Sequence, residues 1–207
     1  MTGNTSLAQS LFPQGGYLNI DELRTRKPSL ASPFYAEERT KDEITLFGGN
    51  DYFMRSEDSS VDQKKIVTEV FAISTGNSIY LNTLVHELSA GYAISLTEGR
   101  YLAFMSGFKE KKQKRLRLIA FATGQPGIEL SISTKAQRVL ENAKPPKRYL
   151  LVMDLQTGII SLCNRNFLVQ IMKPFPDVEY QYSLEQEQNE DRTLIKYVQM
   201  VNKATNR

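Results

Sequence analysis

Few side chains in this chain could carry out chemistry. His86 is the one histidine and Cys163 the one cysteine among 207 residues. His86-Glu87 begins the H-E-x-x-H pattern, in which two imidazoles on one helical face hold zinc and the glutamate serves as base. Position 90 is Ala90, so the pattern is incomplete, and His86 reads as a loop or surface residue. The same shortage removes Ser-His-Asp and Cys-His catalysis unless His86 serves, and no G-x-S-x-G elbow, G-x-G-x-x-G turn or Walker loop occurs. Ser106-Gly107-Phe108-Lys109 spells S-x-x-K, a motif that needs a helix to set Ser and Lys one turn apart. Here it closes a predicted strand, with no S-D-N or K-T-G to accompany it. Cys163 ends the apolar run Ile159-Ile160-Ser161-Leu162-Cys163 and reads as a small buried hydrophobe. One histidine and one cysteine cannot make a dedicated nitrogen and sulfur ligand set, so neither a metal nor another cofactor is expected.

Carboxylates and cations are more plentiful. Glu37-Glu38, Asp42-Glu43 and Glu57-Asp58 are adjacent pairs, which point to opposite faces of an extended chain. A glycosidase-type hydrolase would need two such acids converging in the concavity of a sheet. The stretch "FKEKKQKRLRL" concentrates Lys109, Lys111, Lys112, Lys114, Arg115 and Arg117 between two predicted strands. It reads first as a solvated hairpin tip whose lysines block edge-to-edge association. Its functional reading is an anion-binding finger for phosphate, anionic glycan or lipid head groups, with Lys111, Lys112, Lys114 and Arg115 as the candidate contacts. No aromatic residue interleaves the run for base stacking, which argues against nucleic acid.

The elements that must position these residues follow from pattern and punctuation. A hydrophobic fraction of 41% with 24% charged residues is that of a globular chain rather than a disordered one. A net charge of +3 is too small to argue for nucleic acid or an anionic membrane, and no run approaches the roughly 18 apolar residues of a bilayer-spanning helix. Asn19 three positions ahead of Glu22 predicts a short helix from Asn19 to Arg26, stopped by Pro28. Short β-type runs then dominate: 34–39, 44–47, 52–55, 66–74, 78–82, 91–97, 100–108, 115–123, 149–154 and 158–163. Gly76, Gly99 and Gly158 supply turn residues between them. A helix-compatible stretch covers Thr134 to Asn142. After the cap residue Asn164, a helix carries Phe167, Leu168, Ile171 and Met172 and breaks at Pro174 and Pro176. Residues 177–184 suit helix or strand, and Leu194, Ile195, Val198 and Val201 mark an amphipathic helix over 190–204.

"GGYLNIDELRTRKPSLASPF", "VFAISTGNSIYLNT", "YAISLTEGRYLAF" and "YLLVMDLQTGIISL", in this order, resemble an uncharacterised family of small secreted proteins of Bacteroidetes, a domain of unknown function. The likeness covers Gly16 to Lys203. It implies a fold and a signal peptide, and no activity. Ser6-Leu7-Ala8 ahead of Gln9 has the small residues that signal peptidase requires before its cut. The expectation is therefore a secreted or periplasmic protein whose signal peptide ends near Ala8, its apolar segment lying upstream of Met1; the alternative is a plain tail on a cytoplasmic protein.

The expected fold is α+β and mainly β, an antiparallel meander sheet or half-open barrel with short helices at the N- and C-termini. Residues 1–15 form the signal-peptide end or tail, 16–163 the β domain, and 164–207 a helical segment packed on it. The expected function is a non-catalytic binding or envelope-associated structural module, with an envelope protein or an anionic glycan as partner. The alternatives are a carboxylate hydrolase and an anion-binding module working through the hairpin from Lys109 to Arg117.

Overall fold

The computed structural model describes residues 11–108 and 146–205. The basic run from Lys109 to Arg117, the expected strand 115–123, the helix 134–142 and the Ser6-Leu7-Ala8 site all lie outside them. Nine strands and six helices are described. They run in the order β1 (Gly15–Tyr17), α1 (Ile20–Thr25), β2 (Phe34–Glu38), α2 (Lys41–Phe47), β3 (Tyr52–Ser56) and α3 (Gln63–Thr68). Next come β4 (Ala72–Ser74), β5 (Ile79–Asn82), β6 (Tyr92–Ile94), β7 (Tyr101–Ser106), β8 (Tyr149–Asp154) and β9 (Ile160–Leu162). The helices α4 (Arg165–Met172), α5 (Pro176–Ser183) and α6 (Asp191–Thr205) complete the chain. None of the described helices is long and apolar enough to cross a membrane.

The fold is α+β and mainly β, with a curled half-barrel at its centre. Six antiparallel strands take the order β1-β4-β5-β6-β3-β2, and three more form a second sheet, β7-β8-β9. The first sheet curls until Gly16 and Leu30 exchange both backbone hydrogen bonds, at 2.9 and 3.0 Å, drawing β1 towards the approach to β2.

Side-chain alternation turns these sheets into layers. Inside the half-barrel, Phe34, Met54, Ile73, Tyr80 and Tyr92 surround Ile66 and Val70 from α3 and its exit. The outer face of the same strands, through Ala72, Ile79, Leu81 and Ala93, packs on Leu102, Phe104, Leu151 and Met153 of the second sheet. The far face of that sheet offers Tyr101, Ala103, Leu150 and Val152 to Leu168, Met172, Leu194, Val198 and Val201 of the C-terminal helices. Tyr197, outside the stripe read from the sequence, is fully buried there, whereas Ile195 is only half-buried.

Four elements differ from the sequence reading. The strand order is not an up-and-down meander, because β2, β3 and three helices intervene between β1 and its neighbour β4. Residues 44–47 end helix α2 rather than forming a strand. Thr40 and Glu43 close a reciprocal capping box, a T-x-x-E spacing that outweighs the β-type run behind it. Residues 66–74 are split: Asp62 caps α3, whose last turn Asn82 finishes by donating to the carbonyls of Ile66, Val67 and Val70, before β4 begins at Ala72. Pro176 ends nothing further downstream but starts α5, where its missing N–H is harmless at the first turn.

One junction fixes the last helix. Asn202 of α6 is buried and pairs with the backbone of Tyr101 at both ends of its amide, Oδ1 accepting from the N–H and Nδ2 donating to the carbonyl, each at 2.8 Å. Gly99 makes this approach possible. Its φ is +130°, and a Cβ there would stand 2.8 Å from Asn202 Cγ.

Candidate anion-binding cleft

Helix α1 is short but well tied. Asn19 accepts from the Glu22 N–H, while the Glu22 carboxylate accepts from the backbone of Leu18 and Ser29 and from the Asn19 amide. Burial pushes Glu22 up, but those donors outweigh it and hold the carboxyl below its ordinary range. The helix ends in a Schellman-type turn, with the Lys27 N–H bonded to the Glu22 carbonyl and the Arg26 N–H to that of Leu23. Arg26 sits in this turn at φ +57°, a left-handed position that ordinarily goes to glycine.

This turn faces the ends of the second sheet. Between them lies a cleft of about 200 Å³ lined by Phe12, Leu23, Gly99, Leu155, Gln156 and Thr205 and by three arginines, Arg24, Arg26 and Arg100. Two of the three are fixed. Arg24 donates Nε and Nη2 to the carbonyls of Leu155 and Gln156, both at 2.9 Å, and Nη1 to Asp21 at 2.8 Å. Arg100 grips Asp154 through Nε at 3.0 Å and Nη2 at 2.9 Å, and its guanidinium lies over the Tyr101 ring. Burial raises Asp154, but the Arg100 fork, the Gln156 N–H and the nearby Arg24 charge prevail and keep it ionised. Arg26 lies over the Phe12 ring, 5.9 Å from its centre, and forms no ion pair among the described residues. With Asp21 and Asp154 answering two guanidinium groups, the third leaves the cleft one positive charge and an unspent set of donors. That arrangement suits a carboxylate or phosphate oxygen.

The residues singled out in the sequence fall elsewhere. Lys111, Lys112, Lys114 and Arg115 lie outside the described residues. His86 occupies a loop, as expected, but is half-buried rather than at the surface, its ring meeting Phe71 edge-on at 4.5 Å. Burial alone drives its pKa down to about 4, so it is neutral at pH 7. Cys163 is buried, and that burial, with the Asp191 charge, pushes its thiol up to about 12, which disfavours the nucleophilic thiolate. Ser106 ends strand β7 and is buried, accepting from Asn50 and donating to the Gly107 carbonyl.

The adjacent carboxylates do not converge. Glu37 is bound by Arg55 at 2.7 Å, Glu43 serves the α2 capping box, and Asp58 accepts from the Ser60 N–H. Every described carboxylate with a resolved shift is lowered, the reverse of what a general acid needs. The arginine cleft was not read from the sequence. Its one local trace is Arg-Thr-Arg-Lys at a helix end, with an arginine where glycine would be expected.

A model of a family of unknown function, DUF6563, matches residues 15–205. No curated protein and no solved structure matches the chain.

Proposed function

The chain belongs to the DUF6563 family of unknown function, and from that premise we propose a non-catalytic domain that binds an anionic group in the arginine cleft. The group is a carboxylate or phosphate carried by a glycan or head group of the cell envelope. The protein works outside the cytoplasm, in keeping with the small residues of Ser6-Leu7-Ala8 ahead of Gln9. The observation that carries the reading is Arg26. A side chain is held at a left-handed position that costs about 1 kcal/mol or more, and its guanidinium opens into a cleft where two further arginines are already anchored. Sites that retain such strain are often those where the side chain is needed.

The test is a titration of the protein with inorganic phosphate and with glucuronate, followed by amide NMR. Saturable shifts are expected at Arg26, Arg100 and Gln156. A charge-assisted hydrogen bond contributes about 1.5–3 kcal/mol, so Arg26→Ala should weaken binding about tenfold or more. Arg26→Gly should bind as poorly as Arg26→Ala, yet melt higher than it, because glycine relieves the backbone position. Unsaturable shifts, or equal affinity in wild type and Arg26→Ala, would discard the cleft. Export is checked separately, by N-terminal sequencing of the native protein: a mature chain starting at Gln9 supports it, and an intact Met1 in the cytosol refutes it.

A further inference from the structure

Among the described residues, strand β9 is the outer edge of the second sheet, and its hydrogen-bonding pattern leaves a specific set of groups pointing outwards. Its register with β8 pairs Leu151 with Leu162, Val152 with Ser161 and Met153 with Ile160. The Asp154 N–H bonds to the Ile159 carbonyl and the Cys163 N–H to that of Leu150, so residues 159, 161 and 163 face β8. By the alternation of an antiparallel ladder, Ile160 and Leu162 direct both N–H and C=O away from it. β9 pairs with no second strand among the described residues.

Native edges are commonly protected by lysine, proline or an inward charge. From Gly158 to Cys163 this edge has none of these, and Ile159 and Leu162 are 61% and 45% exposed.

We propose that β9 pairs with β9 of a second copy of this chain across a two-fold axis. Centred on Ser161, antiparallel pairing sets Ile160 of one protomer opposite Leu162 of its partner, and the reverse. Each of those pairs exchanges two backbone hydrogen bonds, so all four outward N–H and C=O groups of each strand are satisfied. Ile160 and Leu162 lie on one face of the strand, so the same register stacks the two apolar pairs and covers the exposed leucine. The strand is neutral, so no like-charge contact opposes a copy of itself, and one patch serves both partners, as a two-fold interface requires. Two three-stranded sheets become one of six. Three residues a side make a small contact, so the dimer is weak and concentration-dependent.

Sedimentation equilibrium over a wide concentration range tests this. The wild type should approach twice the 23.5 kDa of one chain as concentration rises. Leu162→Lys sets a charge against the apolar residue 160 of the partner and brings two like charges diagonally across the axis, and Leu162→Pro deletes an outward N–H without touching the β8 ladder. Each should weaken association at least tenfold while keeping the far-UV circular dichroism of the wild type. A variant that misfolds is replaced by amide exchange on the wild type: Ile160 and Leu162 should gain protection on concentration. A wild type that stays at one chain's mass, association unchanged in a folded variant, or concentration-independent exchange at both amides overturns the proposal.

Discussion

Replacing Asn202 tests how the last helix is held. Its amide satisfies both the N–H and the carbonyl of Tyr101, at 2.8 Å each, in a buried setting. Asn202→Ala leaves the Tyr101 N–H without its partner, while the carbonyl keeps its second donor, Thr97 Oγ1 at 2.7 Å. The unpaired N–H costs about 1–3 kcal/mol and the carbonyl's lost second hydrogen bond about 0.5–1.5, together about 1.5–4.5. Gly99 and Thr205 beside the junction also line the arginine cleft, so water has a short route to the exposed groups and the lower half of that range applies. The expected loss is about 1.5–3 kcal/mol, which for a chain of this size lowers the melting temperature by roughly 3–12 °C. Asn202→Asp keeps the acceptor but turns the donor into a second acceptor against the Tyr101 carbonyl. It should be as damaging at pH 7 and recover in part on acidification, because a protonated carboxyl can donate again. Calorimetry and urea unfolding of both variants between pH 4 and pH 8, read as about 1.4 kcal/mol per pH unit at most, provide the assay. A loss below about 1 kcal/mol for Asn202→Ala, or pH profiles of the two variants that coincide, would refute the reasoning.

Gly99→Ala should be destabilising at the same junction, and less than additive with Asn202→Ala, since once the amide is gone the methyl has less to strike; a double-mutant cycle by urea unfolding measures it. His86 makes stability acid-sensitive. Its folded pKa of about 4 lies below its ordinary 6.5, so its contribution is complete above pH 6.5 and is lost as pH falls towards 4, by roughly 3 kcal/mol at most. In His86→Phe the unfolding free energy should lose that pH dependence over the same window. Leu194→Ala on the buried side of α6 should cost about 2–5 kcal/mol, Ile195→Ala less because that side chain is half-exposed, and Lys196→Ala almost nothing, all read by thermal unfolding.

Elements whose signals are local could be read without a structure. Asn19 and Glu22 mark α1, Asn164 marks α4, and the stripe at Leu194, Val198 and Val201 marks α6, because caps and helical periodicity involve neighbours within a few turns. Strand β8 was read to the residue, and the glycines at 76, 99 and 158 fell in turns, as φ near or above +74° requires. Errors arose where two local signals competed. The T-x-x-E box overruled the β-type run at 44–47, and in 66–74 an apolar stretch served first as a helix and then as a strand. The sequence alone also decided that histidine and cysteine chemistry had almost nothing to work with. Strand order belonged to the tertiary structure: β1 meets β4 only because α1, β2, α2, β3 and α3 fold between them, and no short-range pattern encodes that partner. So did the arginine cleft. Arg24 and Arg26 stand more than seventy residues before Arg100, and only the packing of α1 against the end of the second sheet brings their charges together. Residue type sets which groups can bind an anion, but convergence is a property of distance in space, which the fold creates.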